Sequence, residues 1–517
     1  MRSTFMGLET ARRGMFTQQS ALYTTGHNIA NANTPGYSRQ RVNFTQTEPY
    51  PPASMNRPQI PGQVGSGVKA GSIERVRESF LDVQYRGENN KLGYWETRAE
   101  SFGKLEEVMN EPSDSGLAQT MDMFWQSLQD LAVNPTNPGA KSVVRQRGVA
   151  VAETFNYLHS SLSSIQKDVG NEINVTEKEI NSVTYQIDQI NKQIAGVEPH
   201  GYLPNDLYDE RDRLIDQLSS LVNINVSYVV PNGADGKPIP NAEGKAIVKL
   251  VNDTGVEQGV LVSETASNEI KVNYDGIGGS IKTVTVAGAS IEFTQLKSTG
   301  KLKGLIESFG YEEAGAVKGI YSNMLAELDT LAFTFAEKFN EVHADGMSLN
   351  DMKKTPPTKS GNPFFADEAG AMTKEGFAGR MEIAQAILTS VDNIATANGD
   401  DPANATLGDA SNALKLAEVI NEQLPYGTTN SNFRNYYEGV IGSMAVQSQE
   451  AVRLSTNSSS LRQSVDEKRQ ATSSVSLDEE MSNMIQFQHA YNASARMISL
   501  TDELLEKIIN GMGTGGR

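Results

Sequence analysis

"VSLDEEMSNMIQFQHAYNASARMISLTDELLEKIIN", residues 475–510, decides how this chain is built. Leu477, Met481, Met484, Gln488, Tyr491, Ala495, Ile498, Asp502, Leu505, Ile509 and Met512 step by 4 and 3 throughout, and nine of these eleven are apolar. Such a row falls on one side of a helix, so the spacing predicts a coiled-coil seam. Nothing follows it in the sequence to pack on it, so its partner is expected upstream.

The other end supplies a candidate. Residues 3 to 32 read as an amphipathic helix: Leu8, Ala11, Met15, Leu22 and Ile29 keep the 3-4 spacing, with Gln18 and Thr25 in the remaining seam positions. "HNIANANTPGYSRQ" (27–40) then ends that helix. Asn31 and Asn33 favour turns, Pro35 pushes Thr34 towards extended backbone, and Gly36, before Tyr37, can supply a positive φ. This stretch reads either as an ordinary helix C-terminus or as a corner joining two subdomains, and the residues alone do not separate the two. Residues 1–50 carry five basic and two acidic side chains, and residues 475–517 three basic and six acidic. The termini are thus of opposite sign, which hints at antiparallel pairing but adds little stability.

Between the ends the pattern is mostly helical. Residues 49 to 72 form a Pro/Gly-rich loop with a short strand at Val68 to Ile73. Helices are expected at Ser79 to Asn110 and Leu117 to Val133. The next is the longest. Val151, Phe155, Leu158, Leu162, Ile165 and Val169, then Ile173, Thr176, Ile180, Val183, Ile187, Ile190 and Ile194, form one stripe with a local shift beside Gly170. From Gly139 to Gly196 this makes a rod of roughly 87 Å. Its polar flanks leave a narrow stripe, suited to one or two partner helices. A helix at Asp206 to Val222 follows.

Residues 223 to 305 change texture. "INVSYVV", "AIVKLV", "EIKVNY" and "KTVTVAGASIEF" alternate, separated by "PNGADGKP", "NDTG" and "DGIGGS". These are short strands with turn chemistry, hence a β insert. Helix is expected again from Gly304 to His343, loop over 350 to 376, mixed structure over 377 to 437, and a long helix from about Tyr437 to Gln470. The expected fold is mainly α with a β insert, nested and multi-domain, its terminal helices paired as an antiparallel coiled coil.

Composition excludes several functions. The net charge is −18 and the pI about 4.9, which opposes sequence-independent binding to nucleic acid. Cysteine is absent, so no disulfide, thiolate nucleophile or Cys-ligated metal is available. No stretch of 18 apolar residues predicts membrane insertion, and the first 30 residues, with Arg2, Glu9, Arg12 and Arg13, do not read as a cleaved signal peptide. His27, His159, His200, His343 and His489 show no metal-ligand spacing. No phosphate-binding or nucleophile-elbow motif occurs, so no catalytic, cofactor-binding or metal residues are assigned, and no enzyme is expected. The acidic run Asp206, Asp209, Glu210 and Asp212 is the best candidate for carboxylate catalysis. Acids opening a helix also complement its dipole, with Arg211 and Arg213 beside them, and that reading is preferred. "NGDDPANATLGD" (398–409) lacks the alternation of a calcium loop and reads as surface. Phe364-Phe365 and Tyr436-Tyr437 read as packing in preference to partner anchors.

"NIANANTPGYSRQ" after an amphipathic helix resembles the N-terminal signature of flagellar axial proteins, and its Ser-Arg-Gln ending the hook-associated protein 1 branch in particular. "NDLYDERDRLIDQLSSLVNINV" (205–226), "GDASNALKLAEV" (408–419), "NFRNYYEGVIGSMAVQSQEA" (432–451) and residues 475–510 are similar to further parts of that family, in the same order. Residues 225–305 and 345–400 carry no matching motif. The resemblance implies a structural junction between flagellar hook and filament, secreted through the flagellar type III apparatus. It implies a ring or helical layer of copies of this chain, touching the hook protein, a second junction protein and filament-side components, with an export chaperone before assembly. It places residues 1–45 and 474–517 in an inner tube domain, 46–224 and 305–473 in a long-helix bundle, and 225–304 in an inserted β domain facing outward. Leu8, Met15, Leu22, Ile29, Leu477, Met481, Met484, Tyr491, Ile498, Leu505 and Ile509 are then the expected assembly residues. Asn31, Asn33, Pro35, Gly36 and Tyr37 form the expected corner. Alternatives are another axial subunit of rod or hook, or a coiled-coil adhesin or phage-tail component.

Overall fold

The computed structural model of the chain describes residues 4–51, 54–55, 62–109, 116–233, 236–402, 405–427 and 429–512. Asn110, part of the Pro/Gly loop, two residues of each of the 231–238 and 398–409 turns, and the side chain of Met512 lie outside the described residues. The described residues are 61% helical, with small antiparallel sheets. The helices are α1 (Thr4–Asn31), α2 (Ser79–Met109), α3 (Leu117–Val133), α4 (Pro138–Val197), α5 (Asn205–Leu221), α6 (Phe293–Leu296), α7 (Lys301–Phe309), α8 (Ile320–Asp345), α9 (Leu349–Met352), α10 (Gln385–Thr389), α11 (Ser411–Glu418), α12 (Phe433–Ser473) and α13 (Leu477–Met512). Two compact units can be distinguished: residues 1–90, 179–270 and 458–517, and residues 91–178 and 271–457.

In the first unit, α1 and α13 pack together and run antiparallel: Gly14 lies against Ser494, and Asn28 hydrogen-bonds Glu480. A hairpin of β1 (Gln40–Gln46) and β2 (Val68–Arg75) lies along α1, pairing Gln40 with Arg75 and Gln46 with Val68. Its register shifts between Asn43 and Phe44. Gly71 sits opposite this bulge, where a Cβ would come 2.7 Å from Thr45 Cγ2, so only glycine fits without a local shift. Arg13 Nη1 and Thr17 Oγ1 donate to the carbonyls of Ser66 and Val68, and Phe44 meets Phe487 edge-on. The strand expected at Val68 to Ile73 is present, but β1, its partner, had no distinct pattern.

The rest of this unit is built on α4, α5 and a sheet ordered β3 (Ile224–Val229), β4 (Lys245–Val251), β5 (Glu257–Val262). Ile180, Val183, Ile187, Ile190 and Ile194 of α4 are all buried, as the stripe requires. Ala246, Val248 and Leu250 alternate inward on β4, and Tyr208, Leu214, Ile215 and Leu218 do so on α5 at helical spacing. Each fully buried aliphatic side chain contributes roughly 1.5–3 kcal/mol. Asn191 donates to and accepts from the backbone of Ala246, fixing the central strand to the helix.

The second unit continues the stripe: Val151, Phe155, Leu158, Leu162, Val169 and Ile173 are buried, and Ile165, at the shift beside Gly170, is half-buried. Its core is aromatic. Phe124 and Trp125 of α3, Phe335 and Phe339 of α8, and Phe364 and Phe365 meet with mostly tilted or edge-on rings. The Phe364-Phe365 pair is therefore core. Tyr436 stacks on Tyr426 at 4.5 Å, and Tyr437 is buried. A second sheet is ordered β6 (Ile270–Asn273), β7 (Thr283–Val286), β8 (Ala289–Glu292).

One expectation is corrected here. Residues 304–343 are not one helix: α7 ends at Phe309, a hairpin of β9 (Tyr311–Glu313) and β10 (Ala316–Lys318) follows, and α8 begins at Ile320. Gly310 and Gly319 flank the hairpin at φ +136° and +151°, and a Cβ on Gly319 would lie 2.7 Å from Gly310 Cα. Two glycines in close contact thus break a stretch whose apolar spacing is otherwise helical. Further pairs are β11 (Met347–Ser348) with β14 (Ala395–Ala397), β12 (Phe365–Asp367) with β13 (Met381–Ile383), and β15 (Leu424–Tyr426) with β16 (Thr429–Ser431). Buried His343 donates or accepts at both ring nitrogens, Nδ1 to Asn362 O at 2.8 Å and Nε2 from Ala395 N at 3.1 Å, which fixes the neutral tautomer.

Candidate functional site: the corner and the terminal helices

α1 ends by local chemistry. Thr34 N bonds Asn31 O, Asn31 Nδ2 returns to His27 O, and Gly36 takes φ +83°. Asn33, Pro35 and Gly36 are exposed, and Asn31 and Tyr37 half-buried. The residues that hold the corner lie on either side of them. Asn28, one turn before the helix ends, is buried and saturated. Its Nδ2 donates to Gln40 O (2.8 Å) and Glu480 Oε2 (3.1 Å), and its Oδ1 accepts from Gln40 N (3.0 Å) and Tyr37 Oη (2.8 Å). Burial, then the charges of Asp206, Asp209 and Glu480, push the Tyr37 phenol upward, keeping it a neutral donor.

"YSRQ" is then satisfied residue by residue. Ser38 N donates to Asp209 Oδ2 at 2.9 Å. Arg39 Nε reaches Glu480 Oε1 at 2.7 Å, its Nη1 reaches Glu479 Oε2 at 2.9 Å, and its backbone N bonds Ser473 O. Gln40 Nε2 donates to Asp206 Oδ1 at 3.0 Å, and Asn205 Nδ2 to Gln40 Oε1 at 3.2 Å. The turn after α1 is tied to α13 on one side and to α5 on the other.

Beneath it lies a balanced ion cluster. Asp212 accepts from Arg75 at 3.0 Å and Arg86 at 3.2 Å, with Arg77 at 3.1 Å. Arg75 also reaches Asp209 at 2.7 Å and Glu243; Arg77 grips Asp82 with both nitrogens, at 2.7 and 2.9 Å; Arg86 and Arg469 share Asp216. Arg211, fully buried, pairs with Glu243 at 2.7 Å and lies over the Tyr208 and Tyr228 rings. These five arginines and five carboxylates neutralise one another. Burial pushes the Asp212 carboxyl up, but the guanidiniums of Arg77, Arg75, Arg86 and Arg211 outweigh it and hold the group well below the usual carboxylate range. The acidic run of α5 thus serves as an anchor. Its partners are mostly distant arginines, with Glu210 paired to Arg213 as the local exception.

The terminal helices present a thin seam and much open surface. Glu480 is buried, and Met484, Phe487, Tyr491, Ser494, Ile498, Thr501 and Leu505 continue its 4-3 row half-buried. Four of the apolar residues read from the sequence, Met484, Tyr491, Ile498 and Leu505, lie on it. Gln488, Asp502, Leu477, Met481 and Ile509 are exposed. On α1, Leu8, Met15, Leu22 and Ile29 are half-buried, while Ala11, Thr17, Ala21, Thr24, Thr25 and Asn28 are buried. Phe5, Phe16 and Tyr23 on α1 and Ile485, Met497, Leu500, Leu504 and Ile508 on α13 remain exposed, Tyr23 at 73%. This is an apolar surface without cover in the single chain.

Comparison with known proteins settles the family. The profile described as "Flagellar hook-associated protein FlgK helical domain" matches residues 102–365. Two flagellar basal body rod profiles match the ends, residues 8–37 and 468–511. The chain is 44% identical over its full length, and that of the relative, to "Flagellar hook-associated protein 1" of Bacillus subtilis. The chain belongs to the flagellar hook-associated protein 1 family. The protein of that name from Salmonella typhimurium is 28% identical over 69% of this chain and 58% of its own length. A solved structure, "the flagellar hook junction protein FlgK from Burkholderia pseudomallei", has the same fold over 76% of this chain and all of its own, at TM-score 0.58 and 15% identity. As a member of this family, the chain is a structural component of the flagellar hook–filament junction and not an enzyme. Within this hook-associated protein the corner is built by Asn28, Arg39 and Glu480 as much as by the turn itself. All three lie in the quoted family stretches (Asn28 and Arg39 in 27–40, Glu480 in 475–510), but no pattern there singled out Asn28 or Glu480. No helix among the described residues is long and apolar enough to cross a membrane, and no group of metal-ligating side chains occurs among them.

Proposed function

We propose that copies of this chain form a ring or helical layer between hook and filament, joined through the exposed faces of α1 and α13. The supporting observation is the apolar surface of the helix pair that the β1–β2 hairpin leaves open: Phe5, Phe16, Tyr23, Leu500, Leu504 and Ile508. Burying such side chains against neighbouring copies stabilises each by roughly 1.5–3 kcal/mol, which the single chain forgoes. Leu8, Met15, Leu22, Ile29, Met484, Tyr491, Ile498 and Leu505 line or flank the pair, and Leu477, Met481 and Ile509 extend the free surface.

On this reading residues 1–45 and 474–517 form the inner tube, residues 46–224 and 305–473 the next shell, and residues 225–304 face outward. Asn31, Asn33, Pro35, Gly36 and Tyr37 turn the chain from the first to the second. The hook protein lies on one side of the layer, and a second junction protein and filament-side components on the other. The chain reaches this place through the flagellar type III apparatus, held beforehand by an export chaperone. Deleting its gene in the motile host tests the junction role by electron microscopy and assay of the medium for flagellin. Hooks without filaments, with flagellin lost to the medium, are expected; normal filaments would reject the reading. Leu500→Glu with Leu504→Glu tests the surface: the chain should keep its helicity and leave hooks bare.

A further inference from the structure

We infer that the buried polar clamp of Asn28, Arg39 and Glu480 sets the register of the terminal helix pair. The apolar seam cannot do so by itself. Met484, Tyr491, Ile498 and Leu505 recur every seven residues on α13, so a shift of one heptad, about 10.5 Å, exchanges one apolar side chain for another. On α1 the facing row runs Gly14, Ala21, Asn28; on α13 it runs Ser494, Phe487, Glu480. Two pairs of this ladder are fixed by contact. A Cβ on Gly14 would lie 3.9 Å from Ser494 Cβ, and Asn28 Nδ2 lies 3.1 Å from Glu480 Oε2. Equal spacing then places Phe487 opposite Ala21.

The Gly14–Ser494 rung discriminates by size alone, and only the last rung does so by charge and hydrogen bonding. Shifting α13 one way sets the Glu480 carboxylate against Ala21, away from both its donors. Shifting it the other way sets Phe487 against Asn28, which loses a charged acceptor while buried. Each leaves polar groups unpaired in a site where Glu480 is 2% and Asn28 1% exposed. A single buried polar position fixing the register of an apolar helix pair is a recognised use of such groups. Phe44 against Phe487 is the rival determinant, but Phe44 is 44% exposed.

The chain has no cysteine, so Gly14→Cys with Ser494→Cys supplies the only two thiols, at a Cβ separation suited to a disulfide. Gly14→Cys with Phe487→Cys or with Thr501→Cys reports the two shifted registers. Each pair is oxidised in the purified full chain and in flagella isolated from cells expressing it, and the links within one chain are mapped by mass spectrometry. With the clamp intact, only the 14–494 link is expected. With Asn28→Leu, Arg39→Leu and Glu480→Leu together, its yield should fall about tenfold and a 14–487 or 14–501 link should appear. Phe44→Ala should leave the native link alone. If the triple variant does not accumulate, Glu480→Gln, which keeps the volume and removes the charge, gives the same reading. Retention of the native link alone in the clamp variants, its loss without a shifted link, or its absence from the intact chain in both preparations would each overturn the inference. Exclusion of the intact chain from flagella would instead count against the junction reading, and the purified chain would still report the register.

Discussion

Two residues state their conditions most plainly. Gly36 turns the corner at φ +83°, and a Cβ there would make only ordinary contact with Arg213 at 3.6 Å. The demand is conformational. Gly36→Val should cost about 1–2 kcal/mol in thermal unfolding, and Gly36→Asn distinctly less, because Asn tolerates the left-handed region. Equal losses would mean that the site is limited by space. Asp212 is the opposite case, fixed by charge. Asp212→Ala leaves Arg75, Arg77 and Arg86 facing one another without their shared acceptor. A loss of about 3–5 kcal/mol is expected, against under 1 kcal/mol for Glu210→Ala, whose pair with Arg213 is exposed. Similar losses in the two variants would show that the buried cluster is not stabilised as a unit.

At the scale of elements, α4 was the most legible part of the sequence and α13 the more deceptive. The α4 stripe has thirteen positions and almost all are buried, because the helix packs one narrow face against fixed neighbours. On α13 the 4-3 spacing runs through Gln488 and Asp502, whereas the structure turns Phe487, Ser494 and Thr501 inward. A small polar residue such as Ser494 fits where Gly14 leaves no side chain, and hydropathy cannot signal that. The α7–α8 break was hidden for a related reason: its cause is the approach of two glycines, not a change of pattern. The ion cluster was half visible. Asp209 and Asp212 stood out, but Arg75, Arg77, Arg86 and Arg469 are scattered along the chain, and only folding brings them together. Glycine contacts also set the limits on α4. Gly148→Ala adds helix propensity of about 1 kcal/mol, but its Cβ would sit 2.7 Å from Phe364 Cε1 in the aromatic core. Net destabilisation of roughly 1–2 kcal/mol is expected in denaturant unfolding, and a gain would show that the Phe cluster repacks freely.

The whole molecule should respond to acid in two stages. Burial holds the His343 imidazole down to about 4, so its folded state resists a proton that the unfolded chain accepts below about 6.5. Its contribution is present above that range and is lost as pH falls from about 6.5 to 4. The depressed Asp212 carboxyl acts lower. Its contribution is present above the unfolded value near 3.9 and is lost as pH falls below it. Hydrogen exchange followed by peptide should therefore show the His343 unit loosening first, between pH 6.5 and 4, and the Asp212 unit only below about pH 4. The reverse order would contradict both assignments.

The pairing of α1 with α13 also has a consequence in time. Ribosomes make α1 well before α13, since α1 begins at Thr4 and α13 at Leu477. Throughout synthesis α1 has no α13 to close against, and any product that stops short of Leu477 never acquires one. Contacts of such long sequence separation also form slowly. The helix pair therefore makes closure of the corner depend on translation: the corner can lock only on a molecule whose synthesis has passed through α13.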